Sequence, residues 1–228
     1  MKLVLTCEHG GRDIPKAYKK YFTGSEQLKT HRGYDLGALN LFNHLQPLAN
    51  ASFFSTTSRL VVELNRSIFH KQLFSEYTKP LSKIEKRKII ETHYLPYRIS
   101  VEHETAKLIS SNNTVLHLSI HSFTPELNGQ VRHCDIGLLY DSGIEKEKDF
   151  CKQLKSEILN QNSGLNVRYN YPYLGKSDGF TTFLRKQFPK AYLGIEVEVN
   201  QKFVMNNVMD SEIKEILFKV TKGLLQQQ

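Results

Sequence analysis

The sequence contains only three cysteines, Cys7, Cys134 and Cys151, and no two of them are close together. An odd number of widely spaced cysteines gives no pattern of a disulfide framework and none of the paired spacing of a structural zinc site. Small secreted domains stapled by disulfides are therefore excluded as a class. We expect the protein to work in a reducing compartment.

Long apolar runs are also missing from the sequence. The opening apolar segment, residues 1–5, is shorter than the core of a signal peptide, and no later segment approaches the roughly 20 residues that cross a membrane as a helix. We therefore expect a soluble, cytoplasmic protein with no membrane partner.

Internal repeats and low-complexity linkers are absent as well. The chain has 228 residues, of which 39% are hydrophobic and 11% aromatic, and this content is enough to form a core without disulfides or metals. We therefore expect residues 1–228 to form a single domain.

Basic residues outnumber acidic ones, and the formal net charge is +8. Such a charge fits either a nucleic-acid partner or an anionic small substrate. The densest basic segment, residues 79–88, is interrupted by Glu85 and has no interleaved aromatic residues for base stacking. We interpret this segment as a solvated helix face and expect no nucleic-acid partner.

Segments with strand and helix patterns alternate along the chain. The alternation favours an α/β fold with a mostly parallel sheet covered on both sides. The predicted helices are 34–48, 81–110 with a break at Pro96, 145–159, 178–188 and 210–225, and the predicted strands are 3–7, 51–56, 59–64, 115–121, 135–140, 166–169 and 192–199.

Four of the predicted strands end in polar residues that are suited to chemistry. The segments are 3–9, 59–66, 116–121 and 194–200, and they finish in His9, Asn65-Arg66, His121 and Glu198-Val199-Asn200. In open α/β sheets, ligands bind at the carboxyl ends of the strands. We therefore predict one functional site that is assembled from these ends.

His9 and His121 are the two histidines at such strand ends. Two histidines and one carboxylate form the usual ligand set of a hydrolytic zinc ion, which keeps a fourth position for water. The competing interpretation is that each histidine only makes hydrogen bonds within a turn. For the third ligand, Glu8, Asp13 and Asp35 remain alternatives, and each is equally suited to a helix cap or helix N-terminal charge.

Glu196 and Glu198 alternate on the last predicted strand and so lie on the same face, roughly 6.6 Å apart along the strand. Burial of two carboxylates without partners is costly, so one of them is a candidate general base, unless it pairs with a buried arginine.

Arg59 and Arg66, the latter beside Asn65, are candidates for binding a substrate carboxylate, because arginine grips carboxylates with two parallel hydrogen bonds. Salt bridges to Glu63 or Asp35 are the alternative. Cys7 beside His9 raises a second hydrolase hypothesis, a thiol nucleophile with a histidine base, although a buried cysteine is usually a small hydrophobic residue.

Taken together, six segments resemble the N-formylglutamate amidohydrolase family. They are Cys-Glu-His-Gly-Gly-Arg-Asp-Ile-Pro at 7–15, Tyr-Asp-Leu-Gly-Ala at 34–38, Ser-Arg-Leu-Val-Val-Glu-Leu-Asn-Arg at 58–66, Ser-Ile-His-Ser-Phe at 119–123, Asn-Tyr-Pro-Tyr at 170–173 and Glu-Val-Glu-Val-Asn-Gln at 196–201. The resemblance implies a three-layer α/β sandwich around a mixed, mostly parallel sheet. This is a phosphorylase/hydrolase-like fold similar to that of zinc carboxypeptidases and aspartoacylases.

The resemblance also implies an activity and a role for each matching residue. It implies a metal-dependent amidohydrolase with one Zn²⁺ per chain that acts on a small acidic N-acyl amino acid. The chain differs from the family pattern at Asp13, Glu63 and Arg98, and a peptide or cell-wall amide is the alternative substrate. By this resemblance His9, Asp35 and His121 bind the metal, Glu198 is the general base, and Arg59, Asn65 and Arg66 bind substrate.

Overall fold

A six-stranded β-sheet forms the centre of the computed structural model, which describes residues 1–227. Its strands are β1 (Lys2–Cys7), β2 (Ala51–Phe54), β3 (Val115–Phe123), β4 (Ile136–Leu139), β5 (Val167–Tyr169) and β6 (Tyr192–Asn200). Their spatial order is β2-β1-β3-β6-β4-β5. Every pairing is parallel except that between β4 and β6, so the predicted mixed, mostly parallel sheet is confirmed.

Helices cover both faces of this sheet. They are α1 (Ala38–Leu45), α2 (Lys83–Ile89), α3 (Leu95–Ser110), α4 (Glu145–Gln161), α5 (Phe180–Gln187) and α6 (Ser211–Gln226). Helices α1, α4 and α6 pack on one face, and α3 and α5 pack on the other. The predicted three-layer α/β sandwich is thus confirmed. The predicted single domain extends to Gln228, which lies outside the described residues.

The two faces of the sheet differ in chemistry. Alternate residues of β3 and β6, such as Leu118 and Ile195, contribute to the large apolar core under α1, α4 and α6. The opposite face of β3 carries His117, Ser119 and His121, all buried, as the alternating sequence pattern predicts. A row of buried polar side chains therefore crosses the sheet beneath α3 and α5.

The helical region 81–110 differs from the prediction in the position of its irregularity. A wide π-helical turn, Ile90–Tyr94, joins α2 to α3, and the Leu95 amide donates to the carbonyl of Ile90. Pro96 then lies in the first turn of α3. Proline is tolerated there because its missing N–H group is not required in a first turn, so the chain remains helical instead of breaking at Pro96.

The helix predicted over 34–48 begins later than expected. Gly37 adopts a left-handed conformation with φ of 75°, and α1 starts at Ala38 directly after it. Asp35, which falls within the predicted helix, therefore precedes the observed one. Asp35 lies in a loop that is tied to the end of β1, because its backbone amide donates to the carbonyl of His9 over 2.9 Å.

The strand predicted over 59–64 is wrong. This segment forms turns, with the Val61 amide donating to the Ser58 carbonyl and the Glu63 amide to the Leu73 carbonyl. Its apolar residues are buried in a separate cluster against the short helix Lys16–Phe22 and residues of the α2 region. Burial therefore explains the apolar run without a place in the sheet.

Within residues 1–227, none of the helices combines the length and apolar character that a membrane crossing requires. A cytoplasmic location stays a prediction.

A buried ion pair links the helical layers to the sheet away from the strand ends. The Arg185 Nε atom on α5 donates to Glu147 Oε1 on α4 over 2.8 Å. The same carboxylate oxygen accepts the Gly194 amide over 2.7 Å, and Arg185 also donates to the carbonyls of Gly194 and Gly175. Arg185 and Glu147 therefore bind both the carbonyl and the amide of Gly194 and hold β6 between α4 and α5.

Replacement of Arg185 by alanine leaves the Glu147 carboxylate buried without its cation. We expect the free energy of unfolding in Arg185→Ala to fall by about 3–5 kcal/mol, measured by equilibrium urea denaturation. Arg87→Ala is the control, because Arg87 pairs with Glu91 at the surface and exposed pairs contribute little. Equal urea midpoints for wild type and both variants would contradict this account.

Candidate active site

Three side chains that the sequence predicts as metal ligands lie together at the carboxyl ends of β1 and β3. His9 follows β1, His121 lies on β3, and Asp35 comes from the loop before α1. Their ligand atoms all lie within 4.8 Å of one another, and all three residues are buried. Of the alternatives for the third ligand, the structure therefore favours Asp35 over Asp13. Asp13 instead forms an isolated β-bridge with Thr57.

The two imidazoles present the same ring nitrogen to one carboxylate oxygen. Nδ1 of His9 lies 3.2 Å from Asp35 Oδ2, and Nδ1 of His121 lies 2.9 Å from the same atom. Tetrahedral zinc with bonds of 2.0–2.1 Å holds its ligand atoms about 3.3 Å apart. The spacing and the donor types therefore fit a zinc ion, with modest outward movement of the side chains.

The opposite ring nitrogens are held by two other carboxylates. Nε2 of His9 contacts Glu63 Oε1, and Nε2 of His121 lies 3.3 Å from Glu8 Oε2. His121 Nε2 also lies 2.8 Å from the Ser119 hydroxyl, which donates to Glu8. Carboxylates in this position keep the proton on Nε2 and leave the Nδ1 lone pair for a metal.

Arg59 connects the two carboxylates on the His9 side of the cluster. Its Nη2 atom lies 2.6 Å from Glu63 Oε2, and its Nη1 atom lies 3.2 Å from Asp35 Oδ1. Burial disfavours the charged form of Glu63, but Arg59 and His9 outweigh it and hold the pKa of Glu63 below its usual range. Arg59 therefore forms both salt bridges, to Glu63 and to Asp35, that were the alternative to binding a substrate carboxylate.

Glu198 has the opposite electrostatic environment. It lies directly across from His121 in the register of β3 and β6. Its Oε2 atom is buried and has no hydrogen-bond partner among residues 1–227. Burial raises the pKa of Glu198 to about 7, and the nearby charge of Asp35 adds to this effect although His121 opposes it.

Glu196 shares the strand face with Glu198, as predicted, but it is not a free carboxylate. The Thr181 hydroxyl donates to Glu196 Oε1 over 2.8 Å. Arg185, the buried arginine nearby, is bound to Glu147 instead. Of the two candidates for the general base, the structure therefore favours Glu198.

Asn65 and Arg66 lie on the far side of the site, where the turns of 58–66 meet α5. The Asn65 side chain accepts the Phe180 amide at the start of α5 over 2.7 Å, and Arg66 donates to the carbonyl of Asp178. A single cavity of about 310 Å³, hereafter the catalytic cavity, is lined by all seven residues predicted for the site, together with Tyr173, Ser177 and Asp178 among others.

Sequence reasoning missed several residues that line this cavity or contact the residues that line it or Glu8 behind it. Ser119 carries a signal, because it alternates with His121 on β3 and so lies on the same face. Tyr97, whose hydroxyl donates to Glu8 over 3.0 Å, comes from α3 and has no local signal. Tyr173 and Asp178 come from the loop between β5 and α5, for which only the Asn-Tyr-Pro-Tyr segment gives a hint.

Cys7 does not support the alternative thiol hydrolase. Its side chain is fully buried in the apolar core beneath α1. Burial, together with the charges of Glu8 and Asp35, raises the pKa of this thiol well above its usual value. A thiol that stays protonated inside a core is inert as a nucleophile.

Comparisons with solved structures agree with this fold. A gene product of Agrobacterium tumefaciens superposes with a TM-score of 0.81 at 24% identity, over 99% of this chain and 91% of that one. An N-formylglutamate amidohydrolase of Ralstonia eutropha gives a TM-score of 0.72 at 15% identity, over 100% and 93% of the two chains. At these identities the likeness establishes the fold alone.

The sequence matches none of the curated proteins. The model of the N-formylglutamate amidohydrolase family, in contrast, matches residues 1–205. This match spans every residue of the catalytic cavity and all six strands of the sheet. It also agrees with the amidohydrolase expected from the sequence motifs. The chain therefore belongs to the N-formylglutamate amidohydrolase family.

Proposed function

We propose that the protein is a zinc-dependent amidohydrolase that cleaves the amide bond of an N-formyl or N-acyl amino acid with a free carboxylate. The observation that carries this proposal is the convergence of His9, Asp35 and His121 beside the unpartnered oxygen of Glu198. Family membership supports the reaction class. The dependence on zinc and the identity of the substrate are what we propose beyond the reaction class.

His9 Nδ1, His121 Nδ1 and one oxygen of Asp35 would hold the ion. Zn²⁺ bound there supplies a Lewis acid that lowers the pKa of water to about 7 and polarises a carbonyl. Glu63 and Glu8 orient the two histidines from behind, and Arg59 fixes the free oxygen of Asp35. The donor set is therefore held in place before the substrate arrives.

Glu198 carries the proton transfers of the reaction. Its carboxylate accepts a proton from the water that attacks the acyl carbon, and it returns this proton to the nitrogen of the departing amine. The carbon–nitrogen bond then breaks, and a carboxylic acid and a free amino acid leave. The position opposite His121 supports this role because it places the Glu198 carboxylate beside the donor cluster.

Arg66 is the residue that we assign to the substrate carboxylate. It lines the catalytic cavity, and within residues 1–227 its side chain donates to a single acceptor, the backbone carbonyl of Asp178. Arg59, in contrast, is already engaged by Glu63 and Asp35. Of the two arginines predicted to bind the substrate carboxylate, Arg66 is therefore better suited to direct binding than Arg59.

The first prediction concerns metal content. Protein purified without added metal and then offered zinc should hold close to one zinc per chain by elemental analysis, and His121→Ala should lose most of it because one of three ligands is gone. His103→Ala, at an exposed position on α3, is the histidine control. Equal zinc in all three proteins would contradict the ligand assignment.

The second prediction concerns the general base. Glu198→Gln should retain zinc but lower kcat by roughly 10²- to 10⁴-fold, because an amide cannot accept the proton. Turnover of an N-acyl amino acid is measured by release of the free amine. Glu145→Gln, at an exposed site on α4, should behave as wild type. Unimpaired turnover in Glu198→Gln would assign the base elsewhere.

The third prediction concerns the substrate carboxylate. Replacing it by a carboxamide should lower kcat/KM by about tenfold or more, since hydrogen bonds to charged groups contribute about 1.5–3 kcal/mol. In Arg66→Gln the two substrates should differ much less. A carboxamide penalty of the same size in wild type and Arg66→Gln would show that another group binds the carboxylate.

A further inference from the structure

A second cavity, of about 500 Å³, opens beside the catalytic cavity. The two cavities share Asp35, Arg59, Ser122 and Tyr173 as lining residues. We refer to the second one as the basic groove, after the lining residues His31, Arg32, Lys71, Lys79 and Arg132. A molecule that occupies the catalytic cavity can therefore continue past Arg59 into the basic groove.

The catalytic cavity is large enough to hold a small substrate by itself, so the basic groove is available for a further part of a ligand. Small-ligand sites measure about 300–1,000 Å³, and the catalytic cavity alone, at about 310 Å³, reaches this range. An N-formyl amino acid is at the small end of such ligands. The basic groove is thus not needed to hold a substrate of that size.

Unpaired positive charge distinguishes the basic groove from the rest of the site. Its carboxylates already have partners: Glu76 pairs with Arg32, and Glu63 and Asp35 pair with Arg59. Lys71, Lys79 and Arg132, in contrast, have no carboxylate within ion-pair distance in the part of the chain that the structure describes. Three cations from separate segments are therefore free to bind an anion.

Arg132 is held at the junction of the two cavities by aromatic rings. Its guanidinium carbon lies 5.8 Å from the centre of the Phe123 ring and 5.6 Å from that of Tyr173. Cation–π contacts orient a guanidinium while leaving its N–H groups free to donate. Tyr173 lines both cavities, so the oriented charge lies beside the path between them.

His31 provides an independent sign of the local charge. Burial lowers its pKa, and the neighbouring charges of Arg59, Arg132 and Arg32 lower it further, against the opposing effect of Asp35. Three arginines, Arg32, Arg59 and Arg132, therefore lie close enough to His31 to lower its pKa, although they come from distant parts of the chain.

We propose that the basic groove binds the carboxylates of an acidic peptide, so that the preferred substrate is an N-acylated acidic peptide longer than one amino acid. This inference rests on the proposed function for the position of the acyl group. The carboxylates accept hydrogen bonds from Arg132 and pair with Lys71 and Lys79, while the acylated end lies in the catalytic cavity.

The arrangement favours a peptide over a nucleic acid. The cations come from separate segments around one pocket and do not form a run along one element that could follow a phosphate backbone. The three aromatic rings that line it already contact cations, Phe123 and Tyr173 with Arg132 and Phe74 with Lys86, and bases would have to compete for them. Carboxylates spaced along a flexible chain match separated cations better.

The test compares binding of a formylated tetraglutamate peptide with that of its tetraglutamine analogue and of a short oligonucleotide. Isothermal titration calorimetry is run in the Glu198→Gln background so that bound peptide is not consumed. The groove variant carries Lys71→Glu and Lys79→Glu. The control carries Lys219→Glu and Lys222→Glu on exposed positions of α6, which changes the net charge by the same amount.

We expect the tetraglutamate peptide to bind about tenfold or more tighter than the tetraglutamine analogue, and the groove variant to lose this preference while the control keeps it. Each exposed pair contributes only a few-fold, so the combined change is the measured quantity. Equal binding of the two peptides, or an unchanged preference in the groove variant, would overturn the proposal. Binding of the oligonucleotide but not the peptide would also overturn it.

Turnover of formylglutamate by the groove variant, with an otherwise wild-type site, separates this inference from the proposed function. We expect its kcat/KM to stay within about twofold of wild type, because neither lysine lines the catalytic cavity. Turnover without a glutamate preference in binding refutes the groove alone. A glutamate preference without turnover of any N-acyl substrate refutes the proposed function and leaves the groove as a peptide-binding site.

Discussion

The site depends on how four carboxylates are buried at one end of the sheet. Glu8, Asp35, Glu63 and Glu198 all lie out of water, where an isolated charge is strongly unfavourable. Three of them are matched: Asp35 and Glu63 by His9 and Arg59, and Glu8 by His121 and the hydroxyls of Ser119 and Tyr97. Glu198 alone keeps an oxygen without a partner within residues 1–227. This difference separates the groups that build the site from Glu198, the group that we propose as the general base.

The parallel sheet explains why these groups meet. Parallel neighbours β1, β3 and β6 end at the same edge, so His9, His121 and Glu198 are brought together by strand direction and register alone. Asp35 and Glu63 reach the same place through loops, which need separate anchors. The Asp35 amide is bound by the His9 carbonyl, and the Glu63 amide is bound by the Leu73 carbonyl. The sheet and its strand ends thus supply the histidines with Glu8 and Glu198, and the loops supply Asp35 and Glu63.

The limits of sequence reasoning follow the same division. Alternation on β3 and the polar ends of buried strands were sufficient to bring His9, His121 and the pair Glu196 and Glu198 to one edge of the sheet, because period-two burial is a local property. Residues 59–64 were predicted as a strand because of their β-branched apolar residues, which are indeed buried, but against helices and not in a sheet. Tertiary packing overrides local propensity in such segments. Asp35 was placed on a helix because no local rule shows that Gly37 takes a left-handed conformation and delays α1.

The sequence specifies the net charge of the protein but not where the charged side chains lie in the fold. Most of the densest basic segment, 79–88, forms the solvated helix face that its pattern predicts. Lys83, Arg87 and Lys88 are exposed on α2, and Lys86 stacks on Phe74. The positive charge near the site instead comes from residues far apart in the chain, namely Arg32, Arg59, Lys71 and Arg132, with Lys79 as the sole contribution of that segment. A window along the sequence averages over such residues, whereas an anion responds to distance in space. The fold, and not the local density of lysine and arginine, therefore decides which anions this basic protein can recognise.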